Sequence, residues 1–186
     1  MTVKRGWCIW LTGLPGSGKT TIAKELKKIL RKHGICVQIV SSDAMRKLVT
    51  PNPKYTEEER ELVYRAIVFT SKLLTENGTN VIIDATGNRR RFRDLAREEI
   101  RKFAEVYVKC PLEVCMKRET KRVDEYAPKD IYKKGLEGKS RTVPGLGVPY
   151  EEPLNPEIVV DSEKLDPLGC AQIIFDYVEE LSLIHI

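Results

Sequence analysis

The sequence predicts an α/β fold: a three-layer sandwich with helices on both faces of a central, mainly parallel sheet, and a lid. Two patterns carry that prediction. Short apolar runs of strand length alternate with stretches whose apolar residues recur at helical spacing, the order expected of parallel strands joined by helical crossovers. A glycine-rich segment, Gly13 to Thr20, also lies between the first run and the first helix. With 186 residues, 41% hydrophobic and 32% charged, the chain suits one compact domain over 1–186, with a lid and substrate loop at about 122–156.

Each element has its own signal. Gly6 to Thr12 is an apolar run of strand length, and Thr21 to Leu30 then places Ile22, Leu26, Ile29 and Leu30 on one helical face. Gly34 ends that helix and Ile35 to Val40 reads as the second strand. Pro51 and Pro53 mark a loop; Glu57 to Leu74 is a long helix stopped by Asn77-Gly78. Val81 to Asp84 is a short strand ending in an acid, followed by a basic helix over Arg89–Lys102 and a strand over Glu105–Lys109. Pro111 to about Lys121 reads as helical. Arg122 to Pro156 is polar, broken by Gly and Pro, and reads as a lid and substrate loop rather than core. Ile158–Asp161 closes the sheet and Pro167–Leu183 forms a last helix.

Gly13-Leu14-Pro15-Gly16-Ser17-Gly18-Lys19-Thr20 fits GxxxxGK[ST] at every position. The glycines let backbone N–H groups curl around phosphate oxygens, and the helix that follows adds its positive end. Lys19 reaches the β- and γ-phosphates of ATP, the Thr20 hydroxyl holds Mg²⁺ with Asp84 reaching it through water, and Thr21 completes the nucleotide contacts. The motif lies between a strand and an amphipathic helix, so the sandwich is that of the P-loop NTPases. A switch GTPase would need an Asn-Lys-x-Asp guanine reader, which the sequence lacks. A ring ATPase subunit would need more chain. A phosphotransferase remains.

The acceptor side begins at Ser41-Ser42-Asp43-Ala44-Met45-Arg46, beyond the second strand. Ligands of open α/β sheets lie past the carboxyl ends of the strands. Asp43 there can orient or deprotonate an acceptor hydroxyl, or serve as a helix N-cap, or both. Arg46, Arg60 and Arg65, and then Arg89, Arg90, Arg91, Arg93 and Arg97, could grip phosphate or sulfate with their forks. For most of these eight a solvated basic face is the simpler reading. Arg118, at the start of the lid region, could brace the transferring phosphoryl group, stack on adenine, or be a plain surface arginine.

Composition narrows the rest. The apolar content is too high for a disordered chain, and no apolar run reaches the roughly 18 residues a membrane span needs. The N-terminal segment has basic residues and a short apolar stretch but runs directly into the glycine-rich motif, so a cytoplasmic protein is expected. Five cysteines without a CxxC pair, and only two histidines, suggest neither a zinc site nor a disulfide framework. The net charge of +5 suits an anionic ligand.

Several segments outside the phosphate loop resemble the adenylyl-sulfate (APS) kinase family. They are Pro111-Leu112-Glu113-Val114-Cys115 followed by Arg118, then Ile131-Tyr132-Lys133-Lys134, Gly145-Leu146, Pro149-Tyr150-Glu151-Glu152-Pro153 and Asn155-Pro156-Glu157. The resemblance spans nearly the whole chain. It implies transfer of phosphate from ATP to the 3′-hydroxyl of adenosine 5′-phosphosulfate, with Asp43, Lys19 and Arg118 at the reacting groups. It further implies Arg46, Arg60, Arg65 and Arg141 around the acceptor, and a homodimer. The family's Asp-Gly-Asp-x-x-Arg reads Ser41 to Arg46 here, which keeps the second Asp and the Arg. Val63 and Ala66 stand where the family has Asn and Arg, Thr86-Gly87-Asn88 replaces Ile-Ser-Pro, and Arg141 replaces a lysine.

Two alternatives follow from the residues. Asp84-Ala85-Thr86-Gly87-Asn88 before a run of arginines also resembles polynucleotide 5′-kinases, whose basic helix would grip a nucleic-acid backbone. Little aromatic character accompanies those arginines to stack bases. A nucleotide-binding module without transferase activity is the non-enzymatic alternative.

Overall fold

The computed structural model describes residues 4–121 and 130–184. In chain order the elements are β1 (Cys8–Thr12), α1 (Lys19–Lys32), β2 (Val37–Ser41), α2 (Ser42–Val49), α3 (Glu57–Glu76), β3 (Asn80–Asp84), α4 (Arg90–Glu99), β4 (Phe103–Lys109), α5 (Leu112–Glu119), α6 (Ile131–Leu136), β5 (Ile158–Asp161) and α7 (Pro167–Ile184). The five strands form one sheet in the order β2-β3-β1-β4-β5, and every pairing is parallel.

The central strand shows why the chain is layered. Successive side chains of a strand point to opposite faces. Ile9 and Leu11 enter one core with Ile22, Leu26 and Leu30 of α1 and Ala171, Ile174 and Val178 of α7. Cys8 and Trp10 enter the other, with Val63 and Ile67 of α3 and Phe92 and Ala96 of α4. Each large aliphatic side chain so buried contributes about 1.5–3 kcal/mol. All strands therefore end at the same edge of the sheet, and Thr12, Ser41 and Asp84 finish on three adjacent strands.

The structure departs from the sequence reading in three places. A helix does begin after β2, but Asp43 is not its cap: the Ser41 side chain caps α2 by accepting the Ala44 N–H at 3.5 Å, and Asp43 sits in the first turn. The basic helix stops at Glu99, because Ile100 turns extended and β4 already begins at Phe103. α6 lies within the stretch read as lid and loop. There Tyr132 and Val143 join Cys110 and Cys115 in a small third core, so part of that stretch is core after all. The expected lid also includes residues 122–129, which lie outside the described residues. Among the described residues no helix is long and apolar enough to cross a membrane.

Candidate active site

The phosphate loop leaves β1 at Gly13 and returns at Lys19, the first residue of α1. Gly16 has φ +81°, and a Cβ there would run into the Cys115 carbonyl oxygen in the middle of α5. Only glycine lets the loop pass so close to that backbone. Gly18, at φ +97°, closes the turn as the N-cap of α1 and aims the first N–H groups of the helix outward. Lys19 folds back over the loop and donates from Nζ to the carbonyl oxygens of Gly13 (3.0 Å) and Leu14 (2.8 Å). The Ser17 hydroxyl is buried and has no hydrogen-bond partner among the described residues.

α5 and the end of β5 brace the loop. Arg118 donates to the Ser162 hydroxyl (3.2 Å) and carbonyl (2.7 Å), and the same hydroxyl donates to the Ser17 carbonyl at 2.8 Å. From α6, the Tyr132 hydroxyl donates to the Pro15 carbonyl at 2.8 Å. Burial pushes the Cys115 thiol, beneath Gly16, up to about 12.

Beyond the loop the cavity continues as a second wall. The volume, about 610 Å³, lies in the range of small-molecule sites. Asp43 and Arg46 come from α2, Tyr55 from the following loop, Arg60 and Tyr64 from α3, and Asp84 and Thr86 from the end of β3. Arg46 is buried; its guanidinium lies 5.1 Å from the centre of the Tyr55 ring, and Nη1 has no hydrogen-bond partner among the described residues. Arg60 donates to the carbonyls of Tyr55 (3.3 Å) and Thr142 (2.5 Å), which ties the loop after α6 to α3. Burial, with Arg46 close by, lowers the Arg60 pKa. Two buried cations near one unfilled space make a site for an anion.

The structure thus gathers Lys19, Thr20, Thr21, Asp43, Arg46, Arg60, Asp84 and Arg118 around one cavity, with Pro15, Gly16 and Gly18 of the loop. Arg65 and Arg141 are not on its wall. Five residues separate Arg60 from Arg65, a rotation of about 140° around a helix. Arg65 therefore faces outward and pairs with Glu61 at 2.8 Å, its side chain 63% exposed. Arg141 is exposed.

None of the five arginines around α4 lines the cavity either; carboxylates from elsewhere hold four of them and a backbone carbonyl the fifth. Arg91 meets Glu57 (2.9 Å) and Glu61 (3.1 Å), Arg97 clasps Glu157 with both nitrogens (2.5 and 2.8 Å), and Arg89 meets Glu151 at 3.1 Å. Arg90 donates its side chain to the Glu152 carbonyl at 3.2 Å. Arg93 is buried against Glu105.

Sequence reasoning did not single out Tyr55, Tyr64 or Ser162 as site residues. They belong to no local motif: Tyr55 follows Pro53 in a loop, Tyr64 lies within α3 and Ser162 follows β5, and only the fold brings them to the cavity or the phosphate loop.

Known proteins resemble this chain over most of its length. The family profile described as adenylylsulphate kinase matches residues 5–161. A probable adenylyl-sulfate kinase of Pyrococcus abyssi is 42% identical over 176 residues, covering 95% of this chain and 97% of the relative. One of Archaeoglobus fulgidus is 43% identical over 158 residues, covering 85% and 97%. The Mycobacterium tuberculosis APS kinase, solved in complex with AMPPNP and APS, superposes with a TM-score of 0.83 at 28% identity, over 94% of this chain and 98% of that one.

Proposed function

The chain belongs to the adenylylsulphate kinase family, and we propose that it transfers the γ-phosphoryl group of ATP to the 3′-hydroxyl of APS, giving 3′-phosphoadenylyl sulfate and ADP. One observation carries the reading to these residues: a single cavity joins the phosphate loop to a wall that holds Asp43 and the buried, incompletely partnered Arg46.

ATP lies along the loop from Gly13 to Thr20 and Thr21, its phosphates against the backbone N–H groups and the start of α1. Lys19 exchanges its contacts with the Gly13 and Leu14 carbonyls for phosphate oxygens. The Thr20 hydroxyl and the Asp84 carboxylate both face the cavity. Such hard oxygen donors suit Mg²⁺, which when bound would offset charge on the phosphates. APS lies across the strand ends with its phosphosulfate toward Arg46 and Arg60. Asp43 orients the 3′-hydroxyl and takes its proton as the new O–P bond forms and the bond to the β-phosphate oxygen breaks. Lys19 and Arg118 stabilise the charge on the transferred group, since this chemistry depends mainly on positioning and electrostatics. The homodimer implied by the family resemblance is part of the same reading, and light scattering of the purified chain reads its mass.

The test is to incubate the protein with ATP, Mg²⁺ and APS, and in parallel with a 5′-hydroxyl oligonucleotide. Formation of ADP and 3′-phosphoadenylyl sulfate is expected. Phosphate on the oligonucleotide alone would assign the acceptor wall to a nucleic-acid end, and ATP binding with neither product would leave a binding module.

A further inference from the structure

Tyr64 sits in the acceptor wall, one helical turn from Arg60 on the same face of α3. Its ring is held firmly: it stacks on Phe92 with centroids 4.4 Å apart, lies 6.0 Å from Trp10, and only 3% of the residue is exposed. The hydroxyl oxygen accepts the Gly87 N–H at 3.0 Å. That bond occupies a lone pair and leaves the phenol proton to be donated elsewhere. Among the described residues nothing accepts it. Burial raises the Tyr64 pKa, so the group keeps its proton at any ordinary working pH, and the charges that act on it are Arg46, Arg60 and Asp43. The neighbouring position, Val63, is wholly buried and offers the cavity no polar atom.

We propose that Tyr64 is a specificity-determining contact for the acceptor, its hydroxyl donating a hydrogen bond to the anionic group that Arg46 and Arg60 hold. The proposal rests on the functional reading above and names a residue of the same site. The two arginines supply charge; the phenol supplies one fixed direction. A rigid donor that needs no reorganisation holds an anion at low entropic cost. A hydrogen bond to a charged group is also worth more than one to a neutral group, so its loss should be easy to read.

The experiment is steady-state kinetics of Tyr64→Phe beside the wild type, varying APS and ATP separately, with melting curves of both. The phenylalanine keeps the ring and its stack on Phe92, so the variant folds. We expect KM for APS to rise about ten-fold or more, with kcat and KM for ATP within about two-fold. An unchanged KM for APS in a variant of an active wild type overturns the proposal alone. So does an equal rise in both KM values, which would mean that the hydroxyl acts only by holding the Gly87 backbone. A wild type that neither binds nor phosphorylates APS overturns the functional reading first, and this inference with it.

Discussion

Arg93 of α4 and Glu105 of β4 form an ion pair at 2.5 Å in which both side chains are almost wholly buried, 2% and 8% exposed. The same guanidinium donates to the carbonyl of Gly87 and to that of Glu151 at 2.7 Å. One buried cation thus joins the loop after β3, the central sheet and the segment leading to β5. Removing it leaves the buried Glu105 carboxylate with only the longer, half-exposed Arg97 contact at 3.7 Å among the described residues. Arg93→Met should cost about 3–5 kcal/mol, roughly 10 °C in melting temperature at about 2–4 °C per kcal/mol for a domain of this size. Arg93→Met combined with Glu105→Leu should recover most of that loss. A double variant no better than the single one would show that the carbonyl contacts, not the ion pair, dominate.

Gly16 tests the phosphate loop without touching a charged group. Alanine there would take a left-handed conformation costing about 1–2 kcal/mol and would press its Cβ against the Cys115 carbonyl oxygen. The loop must shift away from α5 to relieve the contact. Gly16→Ala should raise the Kd for ATP more than about ten-fold while circular dichroism stays that of the folded chain. Normal ATP binding would mean that the loop tolerates displacement.

These two positions also mark what the sequence could and could not reveal. The glycine-rich motif is local: eight consecutive residues between a strand and a helix fix both its conformation and its ligand. The face alternation of Ile9 and Leu11 against Cys8 and Trp10 is local too, and the parallel sheet follows from it. The role of Arg93 is not local, because its partners come from the loop after β3, from β4 and from the segment before β5. The same holds for Arg91 and Arg97, which the sequence shows as a basic run but not beside Glu57, Glu61 and Glu157. α6 escaped because 6 residues are too few for a helical period to stand out. Arg65 lies near Arg60 in sequence and matches an arginine of the family pattern, yet helix rotation turns it away from the cavity.

Acid stability should depend on Glu151 and Glu157. The Glu151 carboxyl lies below the usual range because it accepts the Arg90 N–H and pairs with Arg89. Burial pushes Glu157 up, but Arg97 and the Glu105 N–H outweigh it and bring it below the usual range. A depressed folded pKa means stability that is fully present above the unfolded value, about 4.3 for Glu, and is lost as pH falls through the folded value. Glu151→Gln with Glu157→Gln should therefore be less stable than the wild type at pH 7. The gap should narrow below about pH 4.3. Denaturant melts across that window read it, and a gap that stays constant with pH would rule these carboxylates out as the source.

Two carboxylates, Asp43 and Asp84, face the cavity from adjacent parts of the sheet edge, and kinetics can separate their roles. Asp84 ends β3 beside Leu11 of β1, at the phosphate-loop side, whereas Asp43 sits in the first turn of α2 near Arg46 on the acceptor wall. If Asp43 takes the proton of the acceptor hydroxyl, Asp43→Asn should lower kcat by about 10²–10⁴-fold. KM for ATP should stay within a few-fold, because the loop and Lys19 still hold the nucleotide. Lys19→Ala should instead abolish turnover while the protein remains folded, since it removes the cation that meets the transferring phosphoryl group. Asp84→Asn should make the Mg²⁺ requirement steeper and leave KM for APS nearly unchanged. If Asp43→Asn shifts the Mg²⁺ dependence and leaves kcat at saturating metal intact, the two roles are reversed.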